Sequence, residues 1–403
     1  MIISSIYIIG QYLVLGFVKQ KSKEIRTKKE FHLNTMHKAV TIIQYVLAAI
    51  LIVVIFQMIT SSHYNIAMLT VDIGINYIMT FFIMGLLTQR FFSWFRSNRN
   101  SVVLAYGLSS AMLAINSGLT LFFVSYILLS KPAEVMPSTV GTSLFINSSS
   151  WYAGTLNYAY FISSIISFIL TWGATALLLR HYSQRLGKVK YWIVLSIPLA
   201  YFLSQFLTLF LNLFDPLLGS DPIFFGIFLT LIFMLSKPAG GILFGVAFWI
   251  IARNLRQESV VRDYMIISAY GFVLLFISNQ AVLLSATPYP PFGLVTISFM
   301  GLSSYLVLVG IYSSAISVAQ DEKLRQSIRK SAIKQSKLLE SIGSAHMEQE
   351  LQRRVMRLAK NSSDKMTEDT RVQLSVTEED MKQYLDTVLN EIKNKKVVES
   401  SKS

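Results

Sequence analysis

The chain has no cysteine, which excludes disulfides, thiol catalysis and cysteine-ligated metals. Its five histidines, His32, His37, His63, His181 and His346, are scattered along the sequence. There is no His-Glu-x-x-His pair, phosphate-binding glycine loop or nucleophile elbow, so no catalytic site, metal site or cofactor is expected. Charge is scarce too. Asp, Glu, Lys and Arg make up 14% of 403 residues while 53% are hydrophobic, and the apolar residues come in long blocks. That excludes a soluble domain of ordinary composition and points to an all-α, multi-pass membrane helix bundle. Acidic charge is scarcest of all before residue 320. Residues 1–319 hold 8 of the 22 acidic and 19 of the 36 basic side chains, a net +11, against +3 for the rest. Basic residues set in short loops between apolar blocks signal membrane topology and not a nucleic-acid surface.

Nine spans are expected, at 2–18, 39–60, 66–88, 101–130, 159–179, 191–212, 223–252, 264–286 and 292–319. The basic loops after spans one, three, five and seven alternate with loops that carry Lys131 or no cation at all. The positive-inside rule then puts the N-terminus outside and the C-terminus in the cytoplasm of a cell-membrane protein. The first block is read as a retained span, since its basic residues follow it and no small-residue cleavage site is evident. If it does not insert, eight spans remain and the C-terminus stays inside. The one long outer segment, 131–158, contains Pro132, Pro137, Trp151, Tyr152 and the glycosylation pattern Asn147-Ser148-Ser149. It reads as an interfacial loop or as a lid over an outer pocket.

Polar side chains inside spans should face other helices or water. Asp72 and Asn76, one turn apart, fall at a depth similar to Asn116, Thr120, Ser204, Gln205, Asn279 and Gln280, counted at about 1.5 Å per residue from the outer ends. This layer is either interhelical hydrogen-bond glue or a ligand pocket open to the outside around Asp72. The seventh span contains Lys237-Pro238-Ala239-Gly240-Gly241. Pro238 cannot donate to the carbonyl four residues back and the glycines weaken the next turn, so a kink or short unwound stretch is expected as a switch element. Gly241 and Gly245 have the spacing that lets helices pack closely. Lys237 is expected in the inner half, where it pairs with a carbonyl freed by the kink, neutralises an anionic ligand, or snorkels to the surface; about 10 Å of depth separate it from Asp72.

The last span passes into the charged segment 320–360 with no proline, and residues 311–342 hold no glycine. The expectation is one continuous helix leaving the membrane. Leu324, Ile328, Leu338, Ile342, Leu351, Val355 and Leu358 recur at coiled-coil intervals, which makes a homodimer one reading of this segment. Gly343 interrupts the pattern, 361–376 reads as a linker, and Thr377 caps a second amphipathic helix in 377–403. The stripe of that helix, Met381, Leu385, Val388, Leu389 and Ile392, is expected to bind a cytoplasmic protein. His346 reads as a surface histidine rather than a phosphoacceptor.

In layout the chain resembles the membrane input half of multi-span receptor kinases, with the kinase half missing. The segments Ser317-Val318-Ala319-Gln320-Asp321 and Leu338-Leu339-Glu340-Ser341-Ile342-Gly343 also resemble uncharacterised archaeal multi-pass membrane proteins, which suggests an origin and implies no activity. The leading expectation is a non-enzymatic sensor: an outer polar site biases the kinked span, and the last helix relays the change to a partner. A secondary transporter or channel is the second expectation, and an accessory subunit of a membrane complex the third.

Overall fold

A computed structural model describes residues 31–61, 65–130, 151–181, 187–210, 222–255, 259–280, 297–321 and 337–370, with a few isolated positions besides. Among them the regular elements are helices: α1 Phe31–Ser61, α2 Ile66–Ser97, α3 Ser101–Ser130, α4 Trp151–Leu179, α5 Lys188–Phe210, α6 Pro222–Arg253, α7 Val260–Ser278, α8 Met300–Gln320 and α9 Lys337–Thr370. Seven stretches are long and apolar enough to cross a membrane: Thr35–Gln57, Ile66–Ser97, Ser101–Tyr126, Gly154–Leu179, Leu235–Arg253, Val260–Ser278 and Met300–Gln320. They answer to seven of the nine expected spans. The sixth, 191–212, is met by α5, which is helical but not among the seven. The first, 2–18, lies outside the described residues, as does 131–150 with its glycosylation pattern. Trp151 and Tyr152 open α4 and so belong to a helix, not to the expected loop.

Local chemistry sets several helix starts. Asn65, at φ −80° and ψ 106°, caps α2 by accepting from the Ala67 and Met68 N–H groups at 2.9 and 3.4 Å. The Asn100 carboxamide accepts from the Val102 N–H at 2.9 Å at the start of α3.

Side-chain contacts fix the helix directions. Along α3 and α4, Tyr106 meets Thr175, Ser109 meets Thr171 and Asn116 meets Ser163, so the two are antiparallel. Phe168 on Phe202 and Trp172 on Leu195 make α4 and α5 antiparallel. Glycine contacts do the same for α2 with α3, α6 with α7, and α7 with α8. The two end members of the series are parallel neighbours. Asp72 meets Ser298, Thr80 meets Ser304 and Trp94 meets Tyr312, in the same order along α2 and α8. Parity then makes α5 and α6 antiparallel, and the helices from α2 to α8 run alternately up and down. This gathers Arg90, Arg96, Arg99, Arg180, Lys188, Lys190, Arg253 and Arg262 at one end, called here the basic end.

α8 sits centrally: 89% of its most apolar window is buried, against 33% for α1. Outward faces show Phe82, Phe122, Ile197 and Tyr270, an apolar surface suited to lipid.

Compactness divides the chain between Gly343 and Ser344. The first unit holds the bundle and the start of α9. The expected continuous last helix is not present: α8 stops at Gln320, and Asp321 is extended at φ −97° and ψ 106°. Arg325 donates to the Val318 and Ala319 carbonyls that the helix end leaves free. The cause is burial further on. Leu338, Leu339 and Ile342 are buried, the Asn100 carboxamide donates to Ser341 Oγ at 2.5 Å, and a Cβ on Gly343 would come within 2.8 Å of Val318 Cβ. These contacts hold the start of α9 against the bundle, so packing overrides the missing breakers. Leu338 and Ile342 are therefore committed to the bundle instead of a coiled-coil seam. α9 runs through Gly343 and, in the second unit, on to Thr370, helical across 361–370 where a linker was expected. Residues 371–403, with Met381, Leu385, Val388, Leu389 and Ile392, lie outside the described residues.

Candidate functional site: a polar layer at two buried helix ends

The site begins with two helices that stop early. α7 ends at Ser278, and Asn279 leaves the helix at φ −78°, ψ 60°. α8 begins at Met300, whereas its span was expected from 292. Gly271 lies against Val307, and Gly310 against Ser268. Continued along the pair, that register brings Ser278 level with Met300. Both ends therefore lie beside Asn76, about 15 Å along α2 from its start at Ile66.

A helix end leaves up to four backbone groups unpaired and carries about half a unit charge, positive at the N-terminus and negative at the C-terminus. Each end here meets a complementary group. Lys237 Nζ of α6 donates to the Asn279 carbonyl at 2.8 Å and lies 5.6 Å from the centre of the Tyr160 ring. At the start of α8, Ser298 Oγ donates to Asp72 Oδ2 at 3.1 Å, and the Gly301 N–H to Asn76 Oδ1 at 3.4 Å. Asn76 Nδ2 donates back to the Asp72 carbonyl at 3.1 Å. Asn279 Nδ2 donates to Asn116 Oδ1 at 3.2 Å, and Asn116 Nδ2 to Ser163 Oγ at 2.9 Å.

Asp72, Asn76, Asn116 and Asn279 thus lie at one pair of helix ends, with Gln280 next in the chain. Lys237 was expected in the inner half, paired with a carbonyl freed by the kink, neutralising an anionic ligand, or snorkelling to the surface. It reaches the layer because α7 ends where it does, a stop that the apolar run 264–286 does not signal. Gln205 lies outside the described side chains, and Ser204 turns back to the Tyr201 carbonyl on its own helix at 2.7 Å. Asp72, Asn76 and Asn116 are 0% exposed.

The Lys237-Pro238 stretch does not unwind; α6 is helical through Pro238, Gly240 and Gly241. Its glycines are contact points. A Cβ on Gly240 would strike the Phe168 ring, one on Gly241 would lie 2.8 Å from Phe276 Cβ, and one on Gly245 would lie 2.7 Å from the Ala269 carbonyl oxygen. Neighbours this close hold the helix through the proline.

Asp72 Oδ1, Tyr77 OH, Ser278 Oγ and Asn279 Oδ1 are buried and have no hydrogen-bond partner among the described residues. Each such group costs about 1–3 kcal/mol if nothing polar meets it, so a layer of them calls for water or a polar solute. Sequence reasoning missed Ser298, Ser163 and Ser278 because a serine within an apolar run carries little signal. It placed His37 among scattered histidines, although the side chain is buried and bonded to Tyr305.

Compared with protein-family models, curated proteins and solved structures, the chain gives no match in any of the three.

Proposed function

We propose that the chain is a multi-pass protein of the cell membrane that binds a small polar or ionic solute in the layer between α2, α3, α6, α7 and α8, in the manner of a secondary transporter or channel. The supporting observation is the pair of helix ends inside the bundle, with Lys237 at the C-terminal end of α7 and Asp72 at the N-terminal end of α8. Discontinuous helices with complementary charges at their ends are how membrane transporters build solute sites near the midplane. In this reading the basic end is cytoplasmic, 2–18 is a ninth span, and the C-terminus is inside.

Thermal denaturation of the purified chain in detergent, against a panel of alkali cations, simple anions, amino acids and quaternary amines, tests it. A solute at about 100 times its dissociation constant adds about 2.7 kcal/mol of stability and raises the midpoint. The rise is expected in the native chain and not in Asp72→Asn or Lys237→Gln. Equal rises in all three would remove the layer as the binding site.

The sensor reading draws support from one observation, the seating of Leu338–Gly343 against Val318 and Asn100, which ties the start of α9 to the bundle. Under it, a chain cut after Met347 keeps solute binding and loses its cytoplasmic partner.

A further inference from the structure

Beyond the layer, buried polar groups continue towards the basic end. Asp72, Asn76 and Thr80 recur every four residues on one face of α2. Ser298, Gly301 and Ser304 of α8 and its lead-in meet that face. Two hydrogen bonds described above join Asp72 and Asn76 to α8; Ser304 Oγ then reaches Thr80 Oγ1 at 3.5 Å, and the Tyr305 hydroxyl meets His37 Nδ1 of α1 at 2.9 Å. Asp72, Asn76, Thr80, Ser298 and Ser304 are all 0% exposed. Gln44 is buried two turns along α1 from His37, on the same face, and both atoms of its carboxamide lack a partner among the described residues, as does Asp72 Oδ1.

Hydrogen-bond glue between helices satisfies its own members. This seam does not, and its two ends are titratable. An unpartnered carboxamide and carboxylate oxygen in a dry interior are costly, and each is a place for internal water.

We propose that the α1–α2–α8 seam is a water-bridged proton path from Asp72 to His37. The Asp72 carboxyl releases its proton to seam water. The Thr80, Ser304 and Tyr305 hydroxyls each accept one proton as they give one up. His37 takes the proton from Tyr305 at Nδ1 and gives one up from Nε2 towards the basic end, so one proton is moved and nothing is oxidised or reduced. Asn76 and Gln44 orient water and carry no charge. Lys38 follows His37 on α1, and Arg90 of α2 is set against the Tyr312 ring of α8 at 5.1 Å. The path gives the proposed solute site a coupling ion and rests on that reading for its purpose, but the conduction itself needs no solute.

The test uses the full chain in liposomes holding a pH-sensitive dye, with a potassium gradient and valinomycin setting the potential. The native protein is expected to acidify or alkalinise the lumen well above protein-free vesicles. Asp72→Asn and His37→Phe should each lower that rate about tenfold or more, and Tyr305→Phe in the same direction by less. His37→Gln, which keeps a hydrogen bond to Tyr305 but cannot carry a proton, should fall with His37→Phe; it serves if the larger change prevents folding. Gly85→Ala, at an exposed position of α2 with nothing within 4 Å of the added carbon, should conduct like the native chain. A native rate equal to that of empty vesicles, or native conduction in both Asp72→Asn and His37→Gln, overturns the path. Failure of conduction with solute-dependent stabilisation intact removes the path and leaves the binding site; the reverse pattern removes the site and leaves the path.

Discussion

Gly310→Val is expected to cost about 3 kcal/mol or more and to lower the thermal midpoint of the solubilised protein by several degrees. A Cβ at Gly310 would lie 2.6 Å from the Tyr264 carbonyl oxygen and 2.7 Å from the Ser268 nitrogen, both backbone atoms of α7. A side chain in the way can change rotamer, but a backbone can yield only by moving its helix. Here α7 is pinned at three further points, where Gly241, Gly245 and Gly271 bring α6 and α8 equally close. Separating α7 from α8 would also pull Met300 and Ser278 apart, so solute-dependent stabilisation should be lost with the packing. The matching control is Gly85→Ala on α2, where nothing lies within 4 Å of the added carbon. Better helix propensity should make that change neutral or stabilising, by up to about 1 kcal/mol. A Gly310→Val protein that melts with the native chain would mean that α7 and α8 are not packed backbone to backbone.

The difference between these two glycines was not readable from the sequence, and the same limit ran through the rest of the chain. Apolar run length located seven helices long and apolar enough to cross a membrane, because crossing a hydrocarbon core sets a length and a composition that no neighbour can waive. Run length could not show where α7 and α8 stop. Residues 281–286 and 292–299 are as apolar as the helices themselves, and the ends are fixed by partners far away in sequence, Lys237 and Asp72. The grouping of Asn116 with Asn279 was legible, since depth along antiparallel spans is simple arithmetic. The depth of Lys237 was misjudged, because that arithmetic referred it to the outer end of its own span while its level is set by the end of α7. Pro238 and its glycines were read as weakness in a helix. In place, the glycines are what neighbouring helices grip, so the proline sits inside an unbroken helix.

The tail gives the second large effect. A chain ending at Lys330 should be less stable than the full chain by several kcal/mol, whereas one ending after Met347 should melt close to it. Leu338, Leu339 and Ile342 are 1%, 0% and 0% exposed, and burying a side chain of that size is worth about 1.5–3 kcal/mol. Cutting at Lys330 removes all three, together with the Ser341 hydroxyl that accepts from Asn100, and uncovers Val318 next to the end of α8. The loss should fall short of the full sum, because a solubilised or membrane-bound stub can cover part of the vacated surface with detergent or lipid. Cutting after Met347 keeps every one of these contacts and removes the later turns of α9, where Leu351, Val355 and Leu358 are exposed, together with residues 371–403. Thermal midpoints of the three chains, read side by side, decide the matter. Equal midpoints for the two truncations would mean that 337–343 is not part of the bundle. If the Lys330 chain alone falls, loss of output on deep truncation cannot by itself be taken as loss of a signalling tail, and the Met347 chain becomes the one on which sensing and transport are told apart.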